Sequence, residues 1–175
     1  IEKYAKGVFD ITVLYNPQGE KHELAYDILK EEYKDIEWVK RTVLEDQLLT
    51  ELRKDCEYTA YFCDDDVFYQ PITLEMLGMF DLPLVLAFSL HLGTNNNYCH
   101  THNTKVSLGE HDMVDKYLIW DWTTKELDFG YPLTITSHIY RTKDILELTE
   151  KIHFTSPNDY ESKLQTVLPK DKPFM

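Results

Sequence analysis

Along this chain, short apolar runs alternate with stretches whose apolar positions recur at helical spacing. Residues 10–15 are rich in β-branched side chains and predict a strand, and Asn16, Pro17, Gln18 and Gly19 form a strong turn signal. Leu24, Ala25, Ile28 and Leu29 then fall on one face of a helix. Residues 36–39 predict a second short strand, and Leu44, Leu48 and Leu52 share one face of a second helix. A third strand is expected over 58–63, a short helix over 73–79, and a fourth strand over 84–90, apolar enough to be buried on both faces. This alternation argues for an α/β sheet with some parallel order.

The second half reads differently. Residues 91–112 are polar, with Gly93, Asn95, Asn96, Asn97 and the histidines His91, His100, His102 and His111. A long polar segment inside a compact domain is usually functional or disordered. Residues 117–122 are aromatic and strand-like, and 129–132 are a turn. Thr142 is placed to cap a helix reaching to about Lys151, and Asn158 with Glu161 fits the capping-box start of a last helix.

The sharpest chemical signal lies at the end of the third predicted strand. The aromatic run Tyr58, Thr59, Ala60, Tyr61, Phe62, Cys63 stops at Asp64, Asp65 and Asp66, and apolar residues resume at Val67 and Phe68. Three adjacent carboxylates repel one another unless a cation or a hydrogen-bond network compensates. Oxygen-only ligands suit Mg²⁺ or Mn²⁺, ions that commonly bridge to the phosphates of a substrate. The end of a strand is also where open α/β sheets hold ligands. A solvated acidic turn is the plainer reading of such a triplet, and the apolar flanks favour the ligand-binding one.

Length and charge bound the rest. A chain of 175 residues with 43% hydrophobic content can form one domain with its own core. A net charge of −13, from 31 acidic against 18 basic residues, makes nucleic acid and anionic membrane surfaces poor partners. Cys56, Cys63 and Cys99 are odd in number and lack framework spacing, which fits a reducing compartment and a cytoplasmic location. No apolar run approaches transmembrane length. The start at Ile1, without Met, reads as a fragment of a longer chain.

Several chemistries are disfavoured by their missing parts. There is no Gly-rich phosphate loop and no Gly-x-Ser-x-Gly elbow. Cys99 and His102 lack the second ligand pair that a structural zinc site needs. Trp120, Asp121, Trp122, Asp128, Phe129 and Tyr131 form an aromatic and acidic cluster, suited either to sugar rings or to a packed core. His138 can complete a metal site, contact phosphate, or serve as a hydrogen-bonded structural residue.

A strand followed by Asp64, Asp65 and Asp66 resembles the Asp-x-Asp signature of GT-A glycosyltransferases. Residues 9–16 resemble that family's second strand. Residues 128–132, then Ser137, His138, Ile139 and Tyr140, resemble its acceptor-side half, and Phe154, Pro157, Asn158 and Glu161 its closing helix. The pattern is also similar to the capsid-modifying glycosyltransferases of large algal DNA viruses. The resemblance implies a single Rossmann-like domain over residues 1–175, a mixed sheet flanked by helices, with the family's first strand lacking before Ile1. It implies a metal-dependent transferase of the hexosyltransferase type, moving a sugar from a uridine or thymidine diphosphate-sugar to a glycan or glycoprotein. In that reading Asp64 and Asp66 hold Mn²⁺ or Mg²⁺. Tyr15, Asn16, Asp64 and Asp65 contact the donor, and His91, Trp120, Trp122 and Tyr131 the acceptor. Asp128 and His138 carry the chemistry. A metal-dependent nucleotidyltransferase or phosphohydrolase, and a non-catalytic carbohydrate-binding module, remain as alternatives.

Overall fold

The computed structural model describes residues 4, 5 and 7–175. Its first part is a βαβ unit of β1 (Thr12–Tyr15), α1 (Glu20–Glu32) and β2 (Glu37–Lys40). β1 and β2 run parallel, with Val13 opposite Trp38 and Tyr15 opposite Lys40. Gly19 turns the chain into α1 at φ 99°, a conformation that a side chain would strain. Glu20 and Glu23 in the first turn complement the helix dipole.

The expected apolar face of α1 does not enter a core: Leu24 is 64% and Ile28 61% exposed. Tyr26 makes the contact instead, its ring 4.5 Å from that of Tyr15 and 6.2 Å from that of Trp38. A sheet of two short strands offers only a narrow strip of cover, and these aromatic rings fill it. α2 (Leu44–Leu52) behaves as its spacing predicts and buries Leu44, Leu48 and Leu52 in the main core.

The chain continues through β3 (Tyr58–Tyr61), β4 (Ala87–Ser89), and the hairpins β5–β6 (Tyr98–Cys99 with Thr104–Lys105) and β7–β8 (Asp112–Val114 with Tyr117–Ile119). It ends through β9 (His138–Arg141), α3 (Thr142–Thr149) and α4 (Pro157–Leu164). β9 lies between β3 and β4 and is antiparallel to both. The mixed α/β class and the single body therefore stand. Among the described residues, however, the parallel pair β1–β2 and the antiparallel sheet β3–β9–β4 are separate, in place of one continuous mixed sheet. The fourth strand is shorter than expected because Leu86 donates its N–H to Phe174 and Val85 bridges to the same residue.

Helix starts also differ in detail. Thr142 opens α3 as its first helical residue, and its hydroxyl bonds that of Thr59 at 2.8 Å. Ser156, ahead of Pro157, caps α4 by accepting from the Asp159 N–H, so Asn158 is not the cap.

The C-terminal residues close the main core. Trp120 and Met175 exchange backbone hydrogen bonds at 3.0 Å, and the Trp122 indole N–H donates to the Lys172 carbonyl at 2.8 Å. The Trp120 indole N–H donates to the Phe129 carbonyl at 3.0 Å. Both indoles are thus committed to structure. Trp122→Ala is expected to lower stability by about 3–5 kcal/mol, the usual loss for truncating a buried aromatic. Urea titration of the variant checks this, and a cost under 1 kcal/mol would contradict the assignment.

Candidate functional site

β3 delivers the acidic triplet to the end of the antiparallel sheet. The chain turns at residues 63–66, where the Asp66 N–H donates to the Cys63 carbonyl at 3.2 Å. The Cys63 N–H in turn donates to Asp66 Oδ2 at 2.9 Å. Asp66 is half-buried, whereas Asp64 and Asp65 are exposed. The turn therefore uses one oxygen of Asp66, and its Oδ1 takes no hydrogen bond from the described residues. The donor set is all oxygen, which fits the chemistry of Mg²⁺ or Mn²⁺. Among the described residues no group of three or more His, Cys, Asp and Glu side chains is gathered to hold a metal. An ion held here would draw its remaining ligands from substrate and water.

His138 lies directly across the sheet from Tyr61 on one side and Ser89 on the other. It is fully buried, and its Nδ1–H donates to the Thr136 carbonyl at 2.9 Å. That bond leaves Nε2 as an acceptor. It is the one buried side-chain polar atom without a partner among the described residues. An orphaned buried acceptor costs roughly 1–3 kcal/mol, a cost that a ligand's donor would relieve. Ser137, just before it, has φ 50°, an uncommon conformation for a residue with a side chain.

Burial pushes the His138 imidazole down to about 3. Between that value and the ordinary 6.5, the unfolded chain binds a proton that the folded chain does not. This contribution to stability is complete above pH 6.5 and is lost as pH falls toward 3, at up to about 1.4 kcal/mol per pH unit. Urea titrations at pH 6.5 and pH 5 are expected to differ by roughly 1–2 kcal/mol through this residue. His138→Gln should remove that part of the slope; an unchanged slope in the variant would contradict the assignment.

His91 joins the acidic turn to the second half of the chain. Its ring meets that of His138 edge-on, with centroids 5.1 Å apart. His91 is open to solvent, yet the protein around its ring lowers its pKa, opposed by the charges of Asp66 and Asp128.

Asp128 sits in the 3₁₀ turn Leu127–Gly130, and this turn is unusually constrained. Leu127 has φ 54°, an outlier for a bulky side chain. A Cβ on Gly130 would lie 2.4 Å from the Lys125 carbonyl oxygen, so only glycine fits. Such strain tends to collect at functional sites. Asp128 Oδ1 accepts from the Cys99 thiol at 3.0 Å. By its spacing to His102, Cys99 suggests only a zinc ligand. It does meet His102, with Sγ 3.4 Å from Nδ1, but Asp128 is its other partner.

A cavity of about 320 Å³ opens beside the acidic turn, lined by Asp66, Phe68, Phe88, His91, Tyr117 and Ser137 among others. Its size lies at the lower end of small-ligand sites, and an apolar wall with a few polar groups is their usual character. Phe68, Phe88 and Tyr117 were not singled out by sequence, because nothing in their spacing separates a cavity wall from a core.

The other expected site residues are dispersed, and neither Asp128 nor His138 is among the residues that line the cavity. Trp120 lies along one side of the cavity, but Trp122 does not line it. Tyr131 stands apart, with its phenol raised by burial and then by the Glu161 carboxylate. Glu161 is itself raised by burial. Tyr15 ends β1 in the parallel sheet and is buried, and Asn16 follows it, exposed.

Among curated proteins, the chain is similar to the bifunctional glycosyltransferase pgtA of Dictyostelium discoideum, with 28% identity over 148 residues. The matched region covers 77% of this chain and 19% of pgtA, so the chain spans under a fifth of that relative's length. No protein-family model and no solved structure matches it. No helix among the described residues is long and apolar enough to cross a membrane.

Proposed function

We propose that this chain is a metal-dependent glycosyltransferase domain of GT-A type, moving a sugar from a uridine or thymidine diphosphate-sugar to a glycan or glycoprotein. The observation that carries the reading is the cavity beside the acidic turn, where Asp66, His91 and the rings of Phe68, Phe88 and Tyr117 line one space of about 320 Å³. The similarity to a glycosyltransferase supports the same class.

In this reading Asp66 and Asp64 would hold Mn²⁺ or Mg²⁺, and Asp65, Tyr15 and Asn16 contact the nucleotide. The bound ion supplies Lewis-acid neutralisation of the departing diphosphate. Phe68, Phe88 and Tyr117 offer aromatic faces to the C–H surface of the acceptor sugar. The Asp128 carboxylate takes the proton of the acceptor hydroxyl. That oxygen bonds to the anomeric carbon, the bond from carbon to diphosphate oxygen breaks, and the nucleoside diphosphate leaves with the electron pair. His138, neutral and with a free Nε2, accepts a hydrogen bond from bound substrate. The three free cysteines suit a reducing compartment such as the cytoplasm, including that of a host cell if the chain is viral.

Product analysis tests the reading. Incubation with Mn²⁺, a panel of nucleotide-sugars and simple glycosides should release nucleoside diphosphate in step with a new glycoside. Release of pyrophosphate or phosphate would point to nucleotidyl transfer or phosphohydrolysis. Glycan binding without turnover would point to a carbohydrate-binding module.

A further inference from the structure

Cys99 is fully buried on the short hairpin β5–β6, paired there with Thr104. A buried cysteine usually serves as a small hydrophobe, but this one points its sulfur at a carboxylate. The Sγ–Oδ1 separation to Asp128 is 3.0 Å, and His102 Nδ1 lies 3.4 Å from the same sulfur. The carboxylate belongs to a turn whose backbone is already restricted at Leu127 and Gly130.

We infer that Cys99 is a positioning residue for the reaction: its thiol holds Oδ1 of Asp128, so that the other oxygen faces the acceptor hydroxyl. The inference rests on the reading of Asp128 as the base. Backbone constraint fixes where the Asp128 Cα stands but leaves the carboxylate free to rotate. A single hydrogen bond from this buried thiol restricts that rotation, the kind of support a reacting group needs to keep a productive geometry. The Asp128 hydrogen bond, followed by burial, raises the Cys99 pKa, so the thiol keeps the proton that it donates. Of the titratable groups nearby, Cys99 from the hairpin bonds Asp128 directly, His102 from the same hairpin meets the Cys99 sulfur, and His91 from the segment after β4 feels the Asp128 charge. His102 can donate to the sulfur in its Nδ1–H tautomer, which would fix the direction of the thiol proton.

Two variants and one spectrum test this. Cys99→Ala is expected to lower kcat about 10-fold, with the KM for the nucleotide-sugar unchanged. Cys99→Ser, which keeps a donor, should recover most of that loss. The S–H stretching band in the infrared difference between wild type and Cys99→Ser should sit at the position of a hydrogen-bonded thiol, and Asp128→Ala should move it to the unbonded one. Unchanged kcat in Cys99→Ala, or an equal loss in Cys99→Ser, overturns the inference. So does a band at the unbonded position in wild type, a result that needs no turnover at all. Failure of the underlying reading appears separately, as full turnover in Asp128→Asn or as absence of sugar transfer with every donor.

Discussion

Asp128→Asn is expected to lower turnover by about 10²- to 10⁴-fold, the range for loss of a positioned general base, while nucleotide affinity holds. The substitution isolates basicity from geometry. The amide oxygen can still accept from the Cys99 thiol, and the turn that fixes the backbone through Leu127 and Gly130 is untouched. Stability should therefore stay within about 0.5 kcal/mol of wild type. Initial rates under saturating donor, paired with nucleotide titration, check the two halves of the claim. Full turnover in the variant would transfer attention to Glu161, a half-buried carboxylate whose pKa is raised by burial.

The second large effect is expected at the acidic turn. Asp66→Asn should weaken Mn²⁺-dependent nucleotide binding by about 10²-fold or more, since a lost metal carboxylate is worth several kcal/mol in such sites. Asparagine is the informative replacement because Oδ1 of its amide can still accept from the Cys63 N–H in place of the carboxylate oxygen. On sequence alone, removing Asp66 looks stabilising, because it relieves repulsion within the triplet. The structure changes that expectation. Asp66→Ala also deletes the hydrogen bond that closes the turn, at a cost of about 1.5–3 kcal/mol for a bond to a charged acceptor. A variant that keeps wild-type metal-dependent affinity would remove Asp66 from the metal site.

How far the sequence could be read depended on whether local pattern or distant pairing decided the outcome. The Leu44, Leu48, Leu52 stripe is local, and it became the buried face of α2. The strand leading into the acidic turn is equally local, and β3 formed there. The α1 stripe had the same periodicity, but its burial depended on how much sheet lay beneath it, which periodicity does not encode. The insertion of β9 between β3 and β4 joins residues 61 and 138, and no short window contains that information. The capture of Leu86 by Phe174 likewise shortened a strand through a contact at the far end of the chain.

The candidate site divides in the same way. The triplet, His91, Asp128 and His138 stood out as residue types, and the structure brings His91 to His138 and sets it with Asp66 along one cavity. Trp122 also stood out as a type, but its indole is held by the Lys172 carbonyl. Cys99 gave a signal only as a zinc ligand, because its partner Asp128 lies 29 residues away. The strain at Leu127 was invisible, since leucine itself gives no hint of a left-handed backbone.

Titration calorimetry with uridine and thymidine diphosphates, with and without Mn²⁺, tests the central claim most directly. Saturable binding of at least one of them is expected, requiring Mn²⁺ and lost in Asp66→Asn. Binding of neither nucleotide to folded protein, or binding indifferent to the metal, would contradict it.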